Sequence, residues 1–211
     1  IAATEAHGDH LPIGTATRIL DAVARGVAEQ LELSTYLLPT MPLGSSESHR
    51  GSPGTISLEL ATLLAVVTDL VESLLAQGIR KVVVLSGLGG ANASPVRPRE
   101  NGIVKTAVRQ LNYDHPDLRA IWVQPFTAAR RELREILDSP DKDFHAGELA
   151  TSLMLHLAPE AVTCAGSDHV PGVGIEYLDL AALADICPSG VWGKPSLATK
   201  EKGARALATA V

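Results

Sequence analysis

The sequence is poor in aromatic residues, in cysteine and in positive charge, and each shortage excludes a class of protein. Phe, Trp and Tyr make up only 3% of the 211 residues, so a core has to be built from aliphatic side chains. Two cysteines, Cys164 and Cys187, are too few for a disulfide framework or a thiolate zinc site, which indicates a reducing, cytoplasmic compartment. A formal net charge of −6 argues against nucleic acid and anionic membranes as partners. No apolar run approaches the roughly 18–20 residues of a transmembrane helix.

Segments of β-prone and of helical character alternate along the chain. The run 81–86 is continuous rather than alternating, which is typical of a strand covered on both faces. Further strands are predicted at 1–3, 35–39 and 120–124. Apolar residues three and four apart predict helices at 17–31, 57–77, 102–111, 127–137 and 148–157.

This alternation predicts βαβ units, and therefore an α/β fold of three layers in which a mostly parallel central sheet lies between helices. We expect one domain over residues 1–211. Because residues 1–3 are typical of the end of a buried strand, we also expect a strand or helix to precede them.

The first cluster of chemically reactive side chains follows the strand segment 1–3. It contains Glu5, His7, Asp9 and His10. Ligands bind at the carboxyl ends of strands in open parallel sheets, so this position favours a site. In an extended segment Glu5 and His7 point the same way and can converge on one ion or substrate. The alternative is a polar loop whose histidines cap helices.

A second cluster lies at a predicted junction between a loop and a helix. His145 stands just ahead of the helix N-terminus, whose dipole favours the neutral imidazole that a base or a ligand requires. Glu148 lies in the first helical turn, where an acid also compensates the helix dipole without any part in a reaction. The sequence leaves both interpretations of Glu148 open.

Two glycine-rich loops are candidates for substrate binding. Gly89 and Gly90 follow the clearest strand and allow close backbone approach, although their spacing matches neither a dinucleotide nor a Walker loop. Ser46 and His49 lie in a loop that either contacts substrate or is an ordinary capped turn. The chain contains no Gly-x-Ser-x-Gly motif, so it lacks the nucleophile signal of a serine hydrolase.

Taken in order, these segments resemble the creatininase (creatinine amidohydrolase) family. The matching pieces are residues 4–15, 53–58, 82–90, 145–155 and 190–203. The resemblance implies a three-layer α/β/α fold, frequent oligomers that are often hexamers, and a two-metal site that hydrolyses small cyclic or linear amides. Glu5 and His7 match the family's Glu-x-His motif, and His145 matches its catalytic imidazole.

Three other positions depart from the family pattern. The bridging Asp falls on Ala16, the His of the Asn-Gly-His turn falls on Leu88, and the Glu before Thr-Ser falls on Ala150. Ala and Leu side chains have no lone pair to donate. We therefore expect no metal pair and no obligatory cofactor. A single zinc, manganese or iron ion on Glu5 and His7 remains an option.

The leading hypothesis is a diverged amidohydrolase-like enzyme that acts on a small amide, lactam or related carbonyl by acid–base chemistry. Its expected catalytic residues are His145, Glu5, His7 and Glu148. Its expected substrate-binding residues are His10, Ser46, His49, Gly89 and Gly90. The alternative is a catalytically inactive homologue that serves as a binding or assembly subunit. In either case the resemblance implies a homo-oligomer.

Overall fold

A computed structural model describes residues 1–87 and 100–211, with side chains from residue 102 onward in the second range. The expectations for Leu88, Gly89 and Gly90 lie outside these residues. The two strands are β1 (Lys81–Leu85) and β2 (Arg119–Val123). The helices are α1 (Thr15–Gln30), α2 (Leu60–Ala76), α3 (Glu100–Asp114), α4 (Pro125–Ala128), α5 (Arg130–Ile136), α6 (Glu148–Leu157), α7 (Leu183–Ile186) and α8 (Lys200–Ala210).

The strands form a parallel pair in which Val83 lies opposite Ile121, and α3 connects them. The N-terminal segment extends this sheet. The Ile1 nitrogen donates to the Leu85 carbonyl (2.7 Å), and the Gly87 N–H donates to the Ile1 carbonyl (3.1 Å), which is the hydrogen-bond pattern of a parallel pair. The predicted α/β class with a parallel sheet is therefore confirmed.

Helices cover the two faces of β1 and β2 unequally. On one face α2 and α3 pack against the strands through a cluster that includes Val71, Val108 and Ala120. On the other face Val83 and Ile121 are 54% and 55% exposed. The prediction that both faces of segment 81–86 are covered is thus not met in the described residues. The reason is that α1 packs beside the sheet, on residues 2–3 and Leu85.

A second and larger core lies among α1, α4, α5, α6 and α8. It is built around fully buried side chains such as Phe126, Leu133, Leu153 and Met154. With so few aromatics, aliphatic side chains fill most of this volume, as the composition predicts. In the part of the chain that the structure describes, no helix has both the length and the apolarity needed to cross a bilayer.

Most predicted elements are present within a few residues, and two predictions are wrong. The segment 35–39 is not a strand, and its Tyr36 side chain is 79% exposed. Its β-prone residues find no surface to pack against, and strand propensity without such packing is weak. The segment 127–137 is not one helix either, because the chain leaves helical geometry at Ala129 between α4 and α5.

α6 packs against α8, a helix that the sequence patterns did not predict. Gly203 lies directly against α6, because a Cβ built there would collide with the Ser152 carbonyl oxygen. Only the missing side chain allows the two helices to meet this closely.

Replacing Gly203 with Ala should therefore separate α6 from α8. We expect G203A to lower the free energy of unfolding by about 1–3 kcal/mol, the usual cost of overpacking, although Ala favours helix formation. Denaturant titration measures the change. Gly172 has no atom within 4 Å of a built Cβ, so G172A is the matched control and should be nearly neutral. Equal stability of G203A and G172A would contradict this packing.

Candidate active site

Glu5 and His7 converge as their spacing in an extended segment predicts. The backbone pairs with residue 56 through an antiparallel bridge at Thr4. Beyond this bridge, the Nδ1 atom of His7 donates to the Glu5 carbonyl (3.3 Å), and its Nε2 atom lies 4.0 Å from Glu5 Oε1. His7 is 1% exposed, whereas the Glu5 side chain retains 15% exposure. The carboxylate is therefore the part of this pair that is closer to solvent.

The loop 44–57 brings two more predicted residues to Glu5. The Ser46 hydroxyl donates to Glu5 Oε2 (2.7 Å), and His49 Nε2 lies 3.9 Å from the same oxygen. Hydrogen bonds at both ends hold the loop in place, from Ile56 N–H to the Thr4 carbonyl and from Leu58 N–H to the Gly44 carbonyl (both 2.9 Å). Ser46 and His49 thus contact the carboxylate itself.

His145 reaches the same place from the far end of the chain. Its backbone pairs with Trp192 in an antiparallel bridge, with N–H to O distances of 2.9 and 3.0 Å in the two directions. The next residue, Ala146, has φ of 51°, a left-handed conformation that costs a non-glycine residue about 1–2 kcal/mol. This turn leads directly into α6. The side chain of His145 points back, and its Nε2 donates to the Ala6 carbonyl (2.8 Å).

Three imidazole rings and one carboxylate therefore form a compact cluster, which we call the Glu5 cluster: Glu5, His7, His49 and His145. The ring centroid of His145 lies 4.3 Å from that of His7 and 4.2 Å from that of His49. Donor atoms of Glu5, His49 and His145 all lie within 4.8 Å of one another, close enough to share a metal ion. Glu5, His7 and His145, three of the expected catalytic residues, therefore lie together.

The electrostatics of the Glu5 cluster favour neutral rings. Burial lowers the pKa of His7 below its usual value, and the Glu5 carboxylate opposes this shift in part. Two imidazolium charges about 4 Å apart would repel by about 4 kcal/mol at an effective dielectric constant of 20. Because a carbonyl oxygen only accepts, His145 carries its proton on Nε2, and the lone pair of the neutral ring lies on Nδ1.

The residues present do not fit the metal pair that the resemblance implies. Ala16 is buried in a small apolar cluster with Ala2 and Leu20, and Ala150 is buried in the larger core. Neither side chain offers a donor atom, and Leu88 offers none by its chemistry. Three of the expected ligands are thus replaced by apolar side chains, while Glu5 and His7 remain.

Glu148 does not take part in the Glu5 cluster. It is fully buried, and its carboxylate accepts hydrogen bonds from the backbone N–H groups of Asp138 and Ser139 (both 2.9 Å). The Lys202 ammonium group on α8 forms an ion pair with the same carboxylate. These contacts correct the expectation of a catalytic Glu148, because they engage both of its oxygens in joining the start of α6 to α8.

His10 lies beneath the surface rather than at an opening. It has no exposed area, its Nε2 lies 2.9 Å from the Thr151 hydroxyl on α6, and Gly8 and Gly166 pack against its ring. A Cβ at Gly166 would lie within 2.7 Å of three ring atoms. The expected substrate contact of His10 is not supported by this position, and its contacts are those of a structural residue.

Asp143 is a residue whose role the sequence reading missed. Its two carboxylate oxygens accept hydrogen bonds from the backbone N–H groups of Glu148 (2.7 Å) and Leu149 (2.9 Å), so it caps α6 from five residues upstream. Burial raises the pKa of Asp143 to about 7. The sequence signal for this capping role is an Asp that precedes a helix. Asp143 lies five residues before Glu148, however, which is further from the helix than an ordinary N-cap residue.

The fold and the Glu5 cluster define an α/β protein with a carboxylate–imidazole site at the edge of a parallel sheet. The family described as "Creatininase: Creatinine amidohydrolase" matches residues 1–211. The chain therefore belongs to the creatininase family, and the resemblance inferred from its motifs is confirmed.

Curated relatives and a solved structure agree with this assignment. A "Mycofactocin precursor peptide peptidase" of Mycobacterium ulcerans is 32% identical over 222 residues, which cover 100% of this chain and 79% of that protein. "Creatinine amidohydrolase" of Pseudomonas putida is 26% identical over 223 residues, covering 96% and 80%. The structure described as "Creatininase Mn" superposes with a TM-score of 0.75 at 26% identity, covering 99% of this chain and 84% of that one.

Removing the charge of Lys202 should destabilise the protein, because Glu148 then remains buried without its ion-pair partner. We expect K202M to lower the free energy of unfolding by about 3 kcal/mol. Lys200 is exposed on the same helix, so K200M is the matched control and should change stability little. Urea denaturation of both variants measures the difference. Similar values for the two would show that the ion pair contributes little.

Asp143 should make stability depend on pH. Its pKa is about 7 in the folded protein and about 3.9 when unfolded, so the folded state holds the proton more tightly. This contribution to stability is fully present below about pH 4 and is lost as the pH rises to 7, by at most about 1.4 kcal/mol per pH unit.

We expect D143N to flatten the dependence of the unfolding free energy on pH between 4 and 7 relative to the unmodified protein. Denaturant titrations at several pH values give the two curves. D179N, at an exposed aspartate, should leave the curve as it is. A D143N curve parallel to that of the unmodified protein would mean that the Asp143 carboxyl is ionised throughout this range.

Proposed function

We propose that this chain hydrolyses an amide bond in a small-molecule substrate, with the Glu5 cluster supplying acid–base chemistry. The observation that carries the proposal is that Glu5, His49 and His145 converge with His7, with nitrogen–oxygen distances of 3.9–4.0 Å to the carboxylate and ring centroids 4.2–4.3 Å apart. Membership of the creatininase family and the hydrolase names of its relatives support the reaction class. The apolar residues Ala16, Leu88 and Ala150, at positions where the family pattern has metal ligands, favour proton transfer by side chains.

Hydrolysis of an amide adds water to the carbonyl carbon and breaks the carbon–nitrogen bond. One proton has to leave the water, and one has to reach the departing nitrogen. His145 suits both steps, because its neutral ring has a lone pair on Nδ1 and its ordinary pKa lies near neutrality. A positioned acid–base group of this kind contributes roughly 10²–10⁴-fold to the rate.

The other members of the Glu5 cluster position His145 for proton transfer. Glu5, fixed by the hydroxyl of Ser46, places a negative charge beside the imidazoles and so stabilises the ring that has taken up a proton. His7 packs against His145 and keeps water from one side of its ring. These roles are those of positioning and charge stabilisation.

The relatives' names suggest two kinds of substrate for the assay. One is a cyclic amide such as creatinine, and the other is a peptide such as a mycofactocin precursor. Proton transfer by side chains suits a strained or activated amide better than an ordinary peptide bond. We therefore place small amides, lactams and related carbonyl compounds first.

A second function is favoured by the apolar replacements at Ala16, Leu88 and Ala150. A chain that has lost these donors while keeping the fold is suited to serve as an inactive binding or assembly subunit. Association is part of both proposals: we propose a homo-oligomer, a hexamer by family resemblance, and a cytoplasmic location. The exposed apolar side chains of Val83, Ile121 and Tyr36 support association.

Replacing His145 with Ala should lower kcat/KM at least about 100-fold, because the proton acceptor is removed. The thermal midpoint should fall only slightly, since a hydrogen bond such as the one from His145 to the Ala6 carbonyl contributes about 0.5–1.5 kcal/mol. Product formation from creatinine, other lactams and a precursor peptide is followed by chromatography. H115A, on the surface beside Glu72, is the control and should retain activity.

Full activity of H145A would show that the acid–base proposal is wrong. If the unmodified protein turns over no substrate and forms a stable complex with an active homologue, the assembly-subunit function replaces it.

A further inference from the structure

The Glu5 cluster contains a donor set that differs from the one the family resemblance implies. The family motif assigns the metal ligands of the first loop to Glu5 and His7. In the structure, the three donors that lie together are Glu5, His49 and His145, all within 4.8 Å of one another. One carboxylate and two imidazoles are the protein ligands of a common type of catalytic zinc site, which keeps its fourth position open.

His7 is not part of this donor set. Its Nε2 lies 4.0 Å from Glu5 Oε1, whereas the hydroxyl of Ser46 donates to the other carboxylate oxygen, Oε2. His49 instead presents Nε2 at 3.9 Å from Glu5 Oε2, on the side of the carboxylate that Ser46 contacts. The carboxylate oxygen that Ser46 positions is therefore the one that faces His49.

We propose that this chain binds one divalent transition-metal ion through Glu5, His49 and His145, a mononuclear site in place of the family's metal pair. Ligands of a tetrahedral zinc ion are about 3.3–3.5 Å apart, so donors that lie up to 4.8 Å apart have to approach by up to about 1.5 Å. Small side-chain rotations provide this movement. Crowding favours neutral imidazole rings, and a neutral ring has a lone pair that it can donate to a metal ion.

The inference modifies the proposed function without resting on it. A metal ion would occupy the lone pair that His145 needs to accept a proton, so the ion and proton transfer by His145 exclude each other. The metal-bound and metal-free proteins are then two states of one site. Binding is measured without any substrate, so failure of this inference is distinguishable from failure of the hydrolase proposal.

The experiment is a titration of chelator-treated protein with Co²⁺, followed by visible absorption and calorimetry. We expect one equivalent to bind, with the visible bands of a four- or five-coordinate ion. H49Q should weaken binding at least tenfold, whereas H7Q should weaken it less than threefold. H115Q, which changes an imidazole paired with Glu72 on the surface, is the control and should bind as the unmodified protein does.

The variants separate the new ligand set from the family pattern. If H7Q abolishes binding and H49Q does not, the ligands are those of the family motif and the proposal is wrong. Two equivalents of cobalt, or no saturation below millimolar concentration, would also overturn it. Circular dichroism checks that each variant is folded.

If H49Q does not fold, S46A decides the question, since it keeps all three ligands and removes only the hydroxyl that holds Glu5. Several-fold weaker cobalt binding by S46A supports the site, and unchanged affinity contradicts it.

Discussion

The extended segment 1–7 is hydrogen-bonded along both of its sides, and the rest of the site depends on this arrangement. Leu85 and Gly87 at the end of β1 bond to it on one side, while Met41 and Ile56 bond to it on the other. The site's carboxylate therefore lies on backbone that cannot shift without breaking two sets of bonds. Gly44 makes the second set feasible, since a Cβ there would come within 2.7 Å of the Ala2 carbonyl oxygen.

Burial has different consequences for the apolar residue Ala16 and for the imidazoles of the Glu5 cluster. Ala16 packs with Ala2 and Leu20, so a carboxylate restored at position 16 would lose water and need a partner to offset that cost. The imidazoles, in contrast, are polar groups whose burial is already supported by backbone carbonyls. The apolar side chain at position 16 is thus stable in the core as it is, and His7 and His145 keep hydrogen-bond partners within the protein.

Periodic patterns of apolar residues predicted correctly those helices and strands whose buried face is visible in the local sequence. Segment 148–157 is helical from end to end, and 120–124 is a strand shifted by one residue. The region 35–39 has strand propensity but no packing surface, which a local pattern cannot reveal. The helix α8 has a weak apolar pattern, interrupted by Gly203, and its Thr199 cap and contact with α6 are what stabilise it.

The sequence predicted those residues of the candidate site whose positions follow from local spacing. Alternation along an extended segment placed Glu5 beside His7, and the position before a helix placed His145. Nothing local distinguishes Glu148 from a reacting acid, because Lys202, its partner, lies 54 residues further along the chain. For the same reason His10 could not be recognised as buried, since Thr151 and Gly166 cover it from distant parts of the sequence.

The left-handed turn at Ala146 has a consequence for motion. Its cost of about 1–2 kcal/mol is an appreciable fraction of the roughly 5–15 kcal/mol by which a domain of this kind is stable. The pairing with Trp192 and the cap by Asp143 hold the turn in place. Local opening of residues 143–147 releases this strain. We expect their backbone amides to exchange hydrogen with solvent at a lower free energy of opening than the amides in the interior of α6. The imidazole of His145 is thereby attached to a backbone turn whose strain is relieved when the turn opens.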